Sequence, residues 1–142
     1  MKKTILLAIA LVACFALSAQ NAEPAKDQHL AKLPAVDIQT VDGKIFNTKD
    51  IQNDGKPIIV SLWATWCKPC IAELLAIADE YEDWVEETGV KLYAIAIDDA
   101  KTSARVAPFV NGKGWEYEVL LDVNSDFKRA MNVNDVPYMW IL

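Results

Sequence analysis

Two cysteines two residues apart, in Trp66-Cys67-Lys68-Pro69-Cys70, are the side chains best placed to do chemistry in this sequence. They can close into a small disulfide and reopen. The motif follows the apolar run Ile58-Ile59-Val60-Ser61-Leu62-Trp63 and precedes a segment with helical periodicity, so it sits at a strand-to-helix junction. A cysteine there meets unpaired backbone N–H groups and the positive end of the helix dipole, which favour its thiolate. The thiolate is the nucleophile of thiol–disulfide exchange, so the pattern points to redox chemistry. A bare Cys-x-x-Cys also reads as half of a zinc site. No second cysteine pair or suitably spaced histidine accompanies it here, so no metal is expected.

The order of the pair assigns the roles. Cys67, at the exposed helix start, is the expected nucleophile; it attacks a substrate disulfide and forms a mixed disulfide. Cys70, one turn inward, then attacks Cys67 and releases reduced substrate, and the reverse sequence oxidises a dithiol. Lys68 lies between the two sulfurs, where its charge either favours the Cys67 thiolate slightly or is a plain surface charge. Pro69 suits the first helical turn, where no N–H partner is needed. The exchange needs no bound cofactor.

The surrounding elements follow from pattern. Residues 36–41 alternate, Asp42-Gly43 turns, and Lys44-Ile45-Phe46 resumes, which predicts a hairpin. Residues 47–51 predict a short helical turn, and residues 58–63 a buried central strand. Residues 69–88 predict a helix that ends at Gly89. Its apolar face carries Leu74, Ile77, Ala78, Tyr81, Trp84 and Val85. Its acidic face, Asp79 to Glu87, is either solvated surface or a docking surface. A second buried strand is expected over 90–97, a helix over 102–111, a strand over 117–121, and a short helix over 125–131 capped by Ser125. Pro137 opens a last apolar run to Leu142. Strands alternating with helices imply βαβ units and a parallel core.

The N-terminus reads as an export signal over residues 1–19: Lys2 and Lys3, then a nearly unbroken apolar run over 5–17, then Ser18 and Ala19. The run is short of the about 20 apolar residues that a membrane span needs. Leu11-Val12-Ala13-Cys14 also fits a lipobox, in which Cys14 would be lipidated and become the new N-terminus. Otherwise Cys14 is a small apolar residue of the signal, a reading favoured by the continuing run Phe15-Ala16-Leu17. Residues 20–33 are polar, carry Pro24 and the single histidine, His29, and read as a flexible tether before a domain over 34–142. Loss of the two signal lysines takes the net charge from −6 to −8, which disfavours nucleic acid and anionic membrane as partners. Only two of the three cysteines then remain, both in the motif, so the chain has no thiols left for a separate structural disulfide.

The stretch from Ser61 to Cys70, with its Trp-Cys-x-Pro-Cys, resembles the active-site region of the thioredoxin superfamily. Within it the chain is most similar to the extracytoplasmic TlpA/ResA-like thiol–disulfide oxidoreductases, from about Pro34 to the last residue. The resemblance implies a thioredoxin-like α/β fold: a mixed central sheet flanked by helices, with an N-terminal β-hairpin. It implies a cis bond at Val136-Pro137, packed against the cysteines and leaving the preceding backbone free to pair with an extended substrate. It places Glu73 where ResA-like proteins carry a glutamate near the site, to accept or supply a proton; the alternative is a helix-surface glutamate. It implies a periplasmic, extracytoplasmic protein whose partners are protein dithiols and disulfides and an upstream membrane electron donor, with membrane attachment only through a lipidated Cys14. Family substrates include apocytochrome c, hence a place in cytochrome c biogenesis, with reduction expected over oxidation.

Two departures stand out. Thioredoxins themselves carry a buried aspartate where this chain has Ser61, and many relatives have a kinking proline where it has Leu75. Peroxiredoxin-like proteins share the hairpin and the Gly43-Lys44 turn, but their Pro-x-x-x-Thr-x-x-Cys context is absent. Relatives also continue past the cis-proline strand into a further hairpin strand and a final helix. This chain stops at Trp140-Ile141-Leu142 inside an apolar run, which predicts a C-terminally incomplete domain with an exposed edge and marginal stability. The competing readings are such an incomplete domain with little activity, or a metal-binding Cys-x-x-Cys module.

Overall fold

Among the described residues, six strands, β1 (Asp37–Thr40), β2 (Ile45–Asn47), β3 (Ile58–Trp63), β4 (Lys91–Ala96), β5 (Glu118–Leu121) and β6 (Tyr138–Ile141), form one mixed sheet in the order β2-β1-β5-β4-β3-β6. The structure, a computed structural model, describes residues 33–142. The export signal, Cys14, Pro24 and His29 lie outside the described residues. Leu33, assigned to the end of the tether, packs against the core.

The hairpin pairs β1 (Asp37–Thr40) with β2 (Ile45–Asn47) antiparallel, and a single 3-10 turn, Thr48–Asp50, follows. Thr48 pins this corner. Its buried Oγ1 accepts the Val36 N–H at 2.9 Å and donates to the Pro34 carbonyl at 2.5 Å. The centre of the sheet is parallel: β3 (Ile58–Trp63) beside β4 (Lys91–Ala96), and β4 beside β5 (Glu118–Leu121). All six residues of β3 are buried, as an uninterrupted apolar run implies for a strand covered on both faces. β6 (Tyr138–Ile141) runs antiparallel to β3, with Tyr138 opposite Leu62.

Helix α1 spans Lys68–Thr88 without a break and buries Cys70, Leu74, Ile77 and Tyr81. Full burial of Leu74 alone contributes about 1.5–3 kcal/mol. The Tyr81 hydroxyl accepts the Leu92 N–H at 3.1 Å, and the Tyr117 hydroxyl donates to the Leu74 carbonyl at 3.1 Å. These bonds lock the helix to the sheet. Gly89 ends it with φ 67°, a left-handed conformation that glycine adopts without a Cβ clash.

The expected apolar face is too long by one turn. Trp84 and Val85 are 36% and 41% exposed. A 21-residue helix is about 31 Å long, whereas a six-residue strand reaches only about 20 Å, so about the last two turns overhang the sheet.

Two further expectations need correction. The helix placed over 102–111 divides into a 3-10 turn, Ser103–Arg105, and α2, Val106–Lys113. Pro108 lacks an N–H for the upstream turn, which closes by shorter i→i+3 bonds instead. The last helix, α3 (Asp126–Ala130), is not capped by the Ser125 side chain, because Ser125 sits in the left-handed region with φ 57°. The buried carboxylate of Asp122 does that work, accepting the Phe127 N–H at 3.2 Å and the Lys128 N–H at 2.9 Å. Asp122→Ala is therefore expected to cost about 1–2 kcal/mol in urea unfolding. A change within about 0.3 kcal/mol, the scatter typical of independent sites, would contradict this capping role.

Candidate functional site

The site is built where β3 hands over to α1. The Cys67 N–H donates to the Ala64 carbonyl at 3.0 Å, closing a tight turn after β3. Cys67 is the N-cap of α1, and its Sγ accepts the Cys70 N–H at 3.3 Å. Lys68 and Pro69 fill the first two helical positions, and the missing proline N–H costs nothing there. Cys67 and Cys70 are joined as a disulfide, with their Cα atoms 5.3 Å apart. Cys67 is 5% exposed and Cys70 fully buried, so approach from solvent is to Cys67.

Next to the pair in the chain, Trp66 is 58% exposed, a large apolar surface in the same turn as Cys67. Lys68 is exposed and forms no ion pair among the described residues. The Val136–Pro137 peptide bond is cis. Because Tyr138 lies opposite Leu62, Pro137 falls at the level of Trp63, at the sheet end from which the cysteine turn rises. Val136 is half-buried and packs on the core, while Pro137 is exposed.

Glu73 is half-buried one turn after Cys70, and its Oε2 is buried with no hydrogen-bond partner among the described residues. Burial raises its carboxyl above the ordinary value. Ser61, at the position of the thioredoxin aspartate, is also fully buried, and its Oγ has no hydrogen-bond partner among the described residues. Glu73 is thus the titratable side chain on α1 whose proton affinity burial has raised. No group of three or more His, Cys, Asp or Glu side chains among the described residues could hold a metal ion.

Residues 30–142 match the AhpC/TSA family. The chain belongs to this family. Within the AhpC/TSA family its fold is thioredoxin-like: it is 52% identical to a thioredoxin-like protein from Porphyromonas gingivalis of known solution structure, with a TM-score of 0.70 over 79% of this chain and 73% of that one. Among curated relatives, it is 29% identical to the thiol-disulfide oxidoreductase ResA of Bacillus thuringiensis over 121 residues, 85% of this chain. It is 26% identical to ResA of Bacillus subtilis over 105 residues, 74% of this chain. The matches cover 67% and 56% of those two relatives. The resemblance read from the Trp-Cys-x-Pro-Cys motif and the family match agree on the fold.

Sequence reasoning missed Asp98. It follows β4, is fully buried, and reaches the turn before Cys67: its Oδ2 accepts the Thr65 N–H at 2.8 Å and its Oδ1 accepts the Thr65 hydroxyl at 2.5 Å. In the sequence Asp98 and Asp99 simply follow the strand expected over 90–97. The overlooked signal is an acid placed immediately after a buried parallel strand whose neighbour carries the reactive loop.

Proposed function

We propose that this chain is a thiol–disulfide oxidoreductase of exported proteins that reduces substrate disulfides through the Cys67/Cys70 dithiol. The observation that carries the reading is the Cys67–Cys70 disulfide at the N-terminus of α1, with Cys67 the less buried of the two. In the reduced protein the Cys67 thiolate attacks a substrate disulfide. One new S–S bond joins Cys67 to the substrate and one substrate thiolate leaves. The Cys70 thiol loses its proton and attacks the Cys67 sulfur; the second substrate thiolate leaves, and the Cys67–Cys70 disulfide remains. Two electrons pass from the dithiol to the substrate, and an external dithiol donor must restore them.

Glu73 is the group proposed to take the Cys70 proton, supported by its place one turn along α1 and its raised proton affinity. Trp66 offers apolar contact to a substrate chain, and the backbone before Pro137 offers it hydrogen bonds. Export is supported by the basic, then apolar, then small-residue order of the first 19 residues, and the working place is extracytoplasmic. The electron donor is then a membrane protein, and lipid attachment would run through Cys14. No helix among the described residues is long and apolar enough to cross a membrane.

The test is catalysed reduction of a model protein disulfide, insulin, by dithiothreitol. The full chain is expected to accelerate insulin reduction, and trapping with an alkylating agent is expected to catch both cysteines cycling. No acceleration over dithiothreitol alone would contradict the reading.

The proton role of Glu73 has a stability signature. Burial raises its folded-state pKa above the unfolded value near 4.5, so the native state holds the proton more tightly. Stability from protonated Glu73 is present below the unfolded value and is lost as pH rises through the folded one. Glu73→Gln keeps a neutral side chain, so its stability relative to the parent is expected to improve between about pH 4 and about pH 7. Its exchange rate is expected to fall by about tenfold or more at the Cys70 step. Urea midpoints at both pH values and stopped-flow exchange check the two halves; a pH-independent stability difference would contradict the first.

A further inference from the structure

A buried carboxylate is costly unless hydrogen bonds or a cation compensate it. Asp98 has no cation partner among the described residues. Both of its oxygens are instead engaged by one residue, Thr65, through its backbone N–H and its hydroxyl. Thr65 lies two positions before Cys67, inside the turn closed by the Cys67 N–H to Ala64 carbonyl bond. The strand ends beneath are also joined, since the Ile97 N–H donates to the Trp63 carbonyl at 2.8 Å. The path from the end of β4 to the Cys67 sulfur is therefore one run of hydrogen bonds: Asp98 to Thr65, the turn, then Sγ to the Cys70 N–H.

We infer that Asp98 is a positioning residue for Cys67: its two-point clamp on Thr65 holds the turn so that the Cys67 sulfur stays aligned with the amide groups at the start of α1. The inference rests on the oxidoreductase reading above and adds a residue to it. If the turn slackens, the thiolate loses its amide partner and the end of the dipole, and its share of the thiol at neutral pH falls.

Three variants separate geometry from charge. Asp98→Ala removes the clamp. Asp98→Asn removes the charge but can keep both bonds, its oxygen accepting the Thr65 N–H and its NH2 donating to the Thr65 hydroxyl oxygen. Thr65→Val removes only the hydroxyl arm, on a half-buried side chain whose loss leaves the strands untouched.

The measurement is the rate of iodoacetamide alkylation of Cys67 in the reduced full chain at about pH 7, with circular dichroism on the same samples to show that each is folded. Asp98→Ala is expected to react at least about threefold more slowly than the parent, with Asp98→Asn within about twofold and Thr65→Val between them. If Asp98→Ala does not fold, Thr65→Val and Asp98→Asn decide: a slower Thr65→Val beside a near-parental Asp98→Asn supports the clamp. Folded Asp98→Ala and Thr65→Val proteins that react at the parental rate would overturn it. So would an Asp98→Asn rate as low as that of Asp98→Ala, because charge would then be the cause. Reversible cycling of the parent tests the oxidoreductase reading, whereas the variant-to-parent ratio tests the clamp, so either can fail alone.

Discussion

Cys67→Ser is expected to reduce catalysed disulfide exchange by about three orders of magnitude or more, because a serine hydroxyl at neutral pH is a far weaker nucleophile than a thiolate. The loss follows from geometry as well as chemistry. Cys70 is fully buried within the first helical turn, so it cannot take over the attack on a protein substrate. Cys70→Ser is expected to behave differently. It keeps the Cys67 sulfur, the less buried of the two, and so completes the first attack, but has no thiol to resolve the mixed disulfide. It should accumulate a covalent complex with a disulfide-bonded substrate, seen on a non-reducing gel and lost on adding dithiothreitol. If Cys67→Ser forms that complex and Cys70→Ser does not, the assignment of nucleophile and resolving thiol is reversed.

Trp63→Ala is expected to be the most destabilising single substitution considered, at about 3–5 kcal/mol. Trp63 is fully buried at the end of β3, with ring centroids 5.8 Å from Phe109 and 5.2 Å from Trp115. Those aromatic rings tie α2 and the loop after it to the sheet directly below the cysteine turn. A loss of that size is a large part of the about 5–15 kcal/mol that holds a domain folded. Trp63→Phe should lose far less. It keeps an aromatic ring, and it removes an indole N–H that is buried without a partner among the described residues, which offsets part of the lost packing. Urea unfolding of the three proteins measures the ranking. A Trp63→Ala protein within about 1 kcal/mol of the parent would mean that the aromatic cluster does not bear on stability as described.

What could be read in the sequence was local or periodic. The run 58–63 has no polar interruption except Ser61, so a central strand was legible. So was the helix after it, because apolar residues recur at helical spacing from Leu74 to Tyr81. The same pattern continued to Trp84 and Val85, and failed there because periodicity reports a face but not where the sheet beneath it ends. Ser125 looked like a cap because its type and position fit. Asp122, three residues earlier, won because its buried carboxylate reaches two N–H groups while the Ser125 backbone turns left-handed.

The site divided the same way. Cys67, Cys70 and Pro69 announce themselves by spacing. The relation of Pro137 to Trp63 depends on the register of β6 against β3, and the Asp98–Thr65 clamp on the pairing of β4 beside β3. The clamp joins residues 33 positions apart, Pro137 and Trp63 lie further apart still, and only the folded sheet brings them together.

The central claim is that Cys67 and Cys70 form a working dithiol couple. It is tested most directly by a redox titration of the full chain across graded dithiothreitol and glutathione buffers, with free thiols counted by alkylation and mass spectrometry. The account predicts one reversible two-electron transition that is absent in Cys67→Ser, with a midpoint below about −230 mV if the protein is a reductant. A midpoint near about −120 mV would contradict the reducing direction. The absence of any reversible transition in a folded protein would contradict the couple itself.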